Sequence, residues 1–163
     1  MITQSFQQLV ASLAKKSPTP GGGAAAAMAG CMGTSLFLMT VRFSQGKKAN
    51  VDREGDLARI EAKLDDSLQR LLPMAERDCS SFDLVSAAYG MPKDSDAEKA
   101  LRSKAIQEAM IGAMIVPEET QVMIRDVFVA MAEIVDCIGK QIASDLASGA
   151  ALLLAASEGA FLN

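Results

Sequence analysis

Between Gly21 and Val41 the chain carries no charge, and this run restricts the possible folds more than any other feature. A stretch of that length has to leave water, either across a bilayer or through the middle of a protein. It holds five glycines and many alanines, with only Leu36, Phe37, Leu38, Val41 and the methionines strongly apolar. Lys15 and Lys16 precede it, and Arg42, Lys47 and Lys48 follow, so the charge asymmetry that orients a membrane span is missing. The expectation is a buried central helix over about Gly22 to Gln45, with no membrane contact. On that helix Gly23, Ala26, Gly30, Gly33 and Phe37 fall at i, i+3, i+7, i+10 and i+14. A row of nearly absent side chains allows another helix to approach closely, which suits the middle of a bundle or a dimer seam.

The remainder supports an all-helical reading. Half of the 163 residues are hydrophobic, yet aromatics make up 4%, with no Trp and ten Met. Such a core is built from aliphatic side chains packed between helices. No alternating strand pattern and no internal repeat occurs. The fold class expected is an all-α, single-domain bundle of about five to six helices spanning residues 1–163, kinked at Pro73 and Pro117.

A first helix is expected from about Thr3 to Lys15, with Phe6, Leu9, Val10 and Leu13 as its stripe. Gly46 ends the central helix in a polar turn, SQGKKANVD. A long helical pattern then runs from about Arg53 to Tyr89, and Pro73 should kink or split it. Ser95 or Asp96 caps the next helix, and Pro117 starts or kinks a further one. After Gly139 a last helix follows, with Ser144 or Asp145 as its cap.

Several function classes drop out. The net charge is −4 and no basic block stands out, which argues against a nucleic-acid partner. The chain has no histidine, which removes His-based triads and zinc fingers. Cys31, Cys79 and Cys137 lie far apart and read as reduced small hydrophobes of a cytoplasmic protein. The N-terminal stretch lacks the basic-then-apolar pattern of a signal peptide. No metal and no bound prosthetic group are expected.

Two stretches carry chemistry. Leu64, Leu68, Leu71, Ala75, Asp78, Phe82, Val85 and Tyr89 form one stripe at spacings of three and four, and only Asp78 is out of character on a buried face. It is either a structural aspartate, capping the half-helix after Pro73 or paired with an arginine, or a functional carboxyl in a partly apolar cleft. There desolvation raises its pKa toward the range useful for proton transfer. The run Pro20, Gly21, Gly22, Gly23 is either a hinge or a loop that lets a ligand approach a helix N-terminus. No GK[ST] follows it, so it is not a nucleotide P-loop. Lys47 and Lys48 are a solvated turn or a hold for a polyanionic tail, and Asp145 is a cap or a site residue.

These segments resemble a known family in order along nearly the whole chain. SPTPGGGAAAAMAGCMG is similar to the SPTPGGGSVAALAGALG signature of the formiminotransferase-cyclodeaminase C-terminal domain family. MTVRFSQGKK, ERDCSSFDLVSAAYGMPK, AIQEAMIGAMIVPEET and SDLASGAALLLAASEGAFLN resemble four further family segments. The resemblance implies a metal-free, all-helical homodimer acting on a one-carbon unit of tetrahydrofolate, either as formimidoyltetrahydrofolate cyclodeaminase or as methenyltetrahydrofolate cyclohydrolase. It implies Asp78 as catalytic acid/base, and Pro20, Gly21, Gly22, Gly23, Lys47, Lys48 and Asp145 as substrate-binding residues. The sequence departs from the family pattern at Ala24, where a serine is usual, and at Ile138 and Gly139, where a Gly-Asn pair is usual. Family members also continue beyond the position of Asn163. These departures favour the alternative, a non-catalytic folate-binding or structural dimeric relative, whereas the intact PGGG and GKK segments and Asp78 favour the folate enzyme, which is the expectation.

Overall fold

The computed structural model describes residues 4–163, and its six α-helices contain most of them. They are α1 (Phe6–Leu13), α2 (Gly22–Ser44), α3 (Glu54–Leu71), α4 (Met74–Tyr89), α5 (Asp96–Ala132) and α6 (Ala143–Phe161). Short 3-10 turns occupy Lys48–Arg53, Val135–Cys137 and Lys140–Ile142. The all-α expectation holds.

The uncharged run forms the centre. α2 is long and apolar enough to cross a membrane, yet more than half of its most apolar window is buried inside the protein. Gly23, Ala26, Gly30, Gly33 and Phe37 are all buried. Their row faces α6: Cβ atoms placed at Gly33 and Gly149 would lie 2.8 Å from the Gly149 carbonyl oxygen and 2.8 Å from the Phe37 ring, respectively. Near the other end, Gly159 lies against Ala26 and Asn163 against Gly22. The two helices therefore run antiparallel, backbone close to backbone. Buried hydroxyls on α2 stay satisfied within the helix, Thr34 donating to the Gly30 carbonyl at 2.8 Å and Thr40 to that of Phe37 at 2.8 Å.

Leu38, Val41, Leu57, Ile60, Leu64, Ile124, Val127 and Leu153 join α2, α3, α5 and α6 in the main core. A second cluster of Ala24, Ala27, Leu71, Met74, Ala75, Val116 and Met123 lies around the start of α2. Beyond α2, Gly46 adopts φ +67°, a left-handed turn that glycine takes without strain. The buried Asn50 amide donates to the carbonyls of Ser44 at 2.8 Å and Cys137 at 3.0 Å, tying the turn to the far end of α5.

Several boundaries differ from expectation. The start placed near Thr3 lies outside the described residues. α1 opens at Ser5, whose side chain accepts from the Gln8 N–H while the Gln8 side chain accepts from the Ser5 N–H. No residue of α1 is buried, and Phe6 is 72% exposed. At Pro73 the long pattern splits, because proline cannot donate the helical bond and α4 restarts at Met74. Phe82 and Tyr89 are exposed rather than buried, since α4 packs mainly on α5 and the start of α2.

Pro117 starts no helix. α5 runs continuously from Asp96, behind a Ser95 cap, through Pro117 to Ala132. Neither Ser144 nor Asp145 caps α6. The turn at Lys140–Ile142 leads straight into the helix, so the cap position falls on Ile142 and both polar residues lie in the first turn.

Candidate active site

The loop before α2 is folded onto α4. The Thr19–Pro20 peptide is cis, Ser17 donates to the Thr19 carbonyl at 2.8 Å, and the Thr19 hydroxyl reaches the Asp83 carboxylate at 3.4 Å. Gly21 occupies the cap position of α2 and brings no side chain to it. The first N–H groups of the helix therefore need partners from elsewhere. From α4 the Asp78 carboxylate lies beside this first turn, where the nearby Ala24 N–H favours its charged form.

Gly23 makes that contact possible. A Cβ there would overlap Asp78 Oδ1 and lie 2.7 Å from Cγ, so any larger residue would push the carboxyl out. Asp78 is half-buried, and desolvation raises its pKa above the usual aspartate value, with the Ala24 N–H partly offsetting the rise. No ion pair relieves it among the described residues, because the neighbouring Arg77 is engaged by Glu119 at 2.6 Å. Of the two structural roles open to Asp78, arginine pairing does not occur. Nor does Asp78 cap the half-helix after Pro73; its carboxyl lies beside the first turn of α2 instead.

A cavity of about 190 Å³ opens beside this carboxyl. Pro18, Thr19, Gly21 and Gly22 line it from the loop, Asp78, Ser81 and Phe82 from α4, Ala113 and Pro117 from α5, and Asn163 from beyond α6. Pro117 has no N–H, so it offers nothing to the Ala113 carbonyl one turn earlier. The Ser81 hydroxyl is already occupied, donating to the Asp78 carbonyl at 2.8 Å. A larger cleft of about 390 Å³ under α1 is apolar and, among the described residues, is lined by no titratable group but Cys31, and burial pushes that thiol up to about 11.

The expected site residues thus divide. Asp78, Gly21, Gly22 and Gly23 come together, with Pro20 at the cis bond beside them. Lys47 and Lys48 sit past the opposite end of α2, roughly 33 Å away at 1.5 Å per residue. Asp145, in the first turn of antiparallel α6, lies at that far end too. Among the described residues neither lysine is in an ion pair. Thr19, Ser81, Phe82, Pro117 and Asn163 were not singled out as site residues. Phe82 reads as one more buried stripe residue, and Asn163 appears in the sequence only as the end of a similar segment.

Fold and site together define an all-α bundle whose central helix begins at a cleft holding a half-buried, unpaired carboxyl. The chain belongs to the formiminotransferase-cyclodeaminase family, matching it over residues 5–163. A methenyltetrahydrofolate cyclohydrolase of Methylorubrum extorquens is 40% identical over 132 residues, 81% of this chain and 63% of its own length. A formimidoyltransferase-cyclodeaminase of Gallus gallus is 26% identical over the whole chain, which spans 30% of that protein. The crystal structure of a formiminotetrahydrofolate cyclodeaminase from Thermotoga maritima superposes with a TM-score of 0.85 at 26% identity, covering 98% of this chain and 76% of that one. The chain therefore spans less than two thirds of the length of these curated relatives.

Proposed function

We propose that this chain is a folate one-carbon enzyme in which Asp78 moves the protons. Of the two reactions associated with its relatives, hydrolysis of 5,10-methenyl-tetrahydrofolate to 10-formyl-tetrahydrofolate is favoured, because the 40% identical relative bears the cyclohydrolase name. The single observation that carries the proposal is the half-buried Asp78 carboxyl, in no ion pair among the described residues and facing a cavity, with a raised pKa.

In this reaction water adds to the methenyl carbon of the N5–C–N10 amidinium. The Asp78 carboxylate takes one water proton as the C–O bond forms, giving a neutral carbinol bridged between N5 and N10. The carboxylic acid then protonates N5 as the C–N5 bond breaks, and loss of the hydroxyl proton leaves the formyl group on N10. One water is consumed and one proton is released. A cationic substrate also favours a carboxylate at the reacting centre.

Cyclodeamination is the second reading, supported by the name of the structural neighbour. There N10 attacks the carbon of the protonated formimino group (=NH2+), and Asp78 accepts the N10 proton to leave a neutral amine on the carbon. Asp78 returns the proton to that nitrogen, and ammonia leaves as the C–N bond breaks to give the methenyl cation. Both reactions ask the same group to accept and then donate one proton.

A cavity of about 190 Å³ is smaller than the roughly 300–1,000 Å³ of sites that enclose drug-sized ligands. It suits the reacting end of a folate better than the whole molecule. A homodimer accounts for the remainder: a two-fold axis across α2 brings the lysine end of one protomer toward the glycine end of its partner. Lys47 and Lys48 then meet the glutamate tail, and Asp145 completes the partner's side. Residues 1–163 act in this reading as one domain of a cytoplasmic, metal-free enzyme without a prosthetic group.

The test follows loss of the methenyl chromophore, and formation of methenyl-tetrahydrofolate from the formimino substrate, with wild type and Asp78→Asn. Turnover by the wild type and its loss in Asp78→Asn is the expected outcome. Binding of folate without turnover of either substrate identifies a non-catalytic relative instead.

A further inference from the structure

The Asp78 cavity contains an uncharged hydrogen-bond acceptor that no step above has used. Asn163 lies over the first residue of α2, where a Cβ on Gly22 would be 3.0 Å from its Nδ2 and 3.3 Å from its Oδ1. Its Nδ2 donates to the Gly159 carbonyl at 2.7 Å. A carbonyl oxygen only accepts, so this bond determines which way round the amide lies. Oδ1 accepts no hydrogen bond among the described residues, and Asn163 lines the same cavity as the Asp78 carboxyl.

The hydroxyl protons there are already donated, from Ser81 to the Asp78 carbonyl and from Thr19 toward Asp83. Among the acceptors lining this small space are a carboxylate that takes protons and an amide oxygen that does not. A nucleophilic water has two O–H bonds to satisfy. With one donated to Asp78 and the other to a fixed neutral acceptor, its lone pair is aimed at the carbon.

We propose that Asn163 Oδ1 is this second acceptor, orienting the X–H group on the reacting carbon while Asp78 exchanges the proton. The inference rests on the folate reading above and adds a positioning residue to it. X–H is the water O–H in cyclohydrolysis and the N–H of the departing amine in cyclodeamination. Gly22 is part of the device, because only a residue without a Cβ leaves the amide its place against the helix.

The experiment compares full-length wild type, Asn163→Ala, Gly22→Ala and the double variant on both substrates, with Tm measured in parallel. Asn163→Ala is expected to lower kcat by about 10- to 100-fold on the substrate that is turned over, with KM changed less than about threefold and Tm unmoved. Gly22→Ala is expected to lower kcat less, and the double variant to be no worse than Asn163→Ala alone. An unchanged kcat in Asn163→Ala, a loss confined to KM, or a parallel fall in Tm overturns the inference. A wild type that turns over neither substrate overturns the folate reading and this role together. An active wild type that Asp78→Asn inactivates and Asn163→Ala leaves intact overturns this role alone.

Discussion

At the scale of single residues, Asp78 serves both the fold and the proposed chemistry, and the two can be separated by substitution. Its pKa is raised mainly by burial, so the fold favours the neutral acid. The stability this contributes is full below the ordinary aspartate pKa and is lost as pH rises through the raised one. Asp78→Asn is neutral throughout and keeps an oxygen for the Ala24 N–H. At about pH 7 it is expected to melt no lower than wild type, with the difference between them shrinking in acid. Activity should behave oppositely. The acid limb of the wild-type rate profile should fall above the ordinary aspartate value of 3.8. Gly23→Ala tests the same contact from the other side. The added methyl overlaps the carboxyl, which sits at the end of a movable side chain, so the fold persists while the acid is displaced. A loss in kcat of at least about tenfold with little change in Tm is the expected outcome.

Helices set a different kind of limit. The α2–α6 seam is closed by Gly33 and Gly149, and at Gly33 a Cβ would meet Leu153 Cγ at 2.6 Å and the Gly149 carbonyl oxygen at 2.8 Å. Backbone cannot swing aside as a side chain can. Gly33→Ala should therefore cost at least about 1–3 kcal/mol, despite the better helix propensity of alanine, and lower the urea midpoint accordingly. Gly30 has 3.6 Å to its nearest neighbour and should accept alanine with little change. The row of small residues was legible because its spacing is a property of any helix. The sequence leaves open whether Pro117 starts a helix or lies within one; α5 passes through it packed on α3, α4 and α6, and tertiary contacts outweigh the local cost of one missing bond.

For the molecule as a whole, the site residues expected from the sequence lie at both ends of a helix roughly 33 Å long. If a homodimer joins those ends, each site takes Asp78 from one protomer and Lys47 and Lys48 from its partner. Mixing Asp78→Asn with a Lys47→Ala, Lys48→Ala variant, each inactive alone, should then restore about a quarter of wild-type activity through hybrid dimers. No recovery after mixing, with hybrids shown to form, rejects the shared site.

What the sequence determined by itself follows from periodicity and omission. An uncharged, glycine-rich run at helical spacing can only be a packed helix or a membrane span, a chain without histidine must move protons with other groups, and an aspartate on an apolar stripe is conspicuous. Tertiary structure alone decided that the Asp78 carboxyl lies against Gly23 in the first turn of α2, that Phe82 and Asn163 share its cavity, and that the lysines lie far from it within one protomer. Helical spacing reports which face a residue occupies on its own helix. It carries no information about which distant backbone group that face meets, and the chemistry of this cleft depends on that meeting.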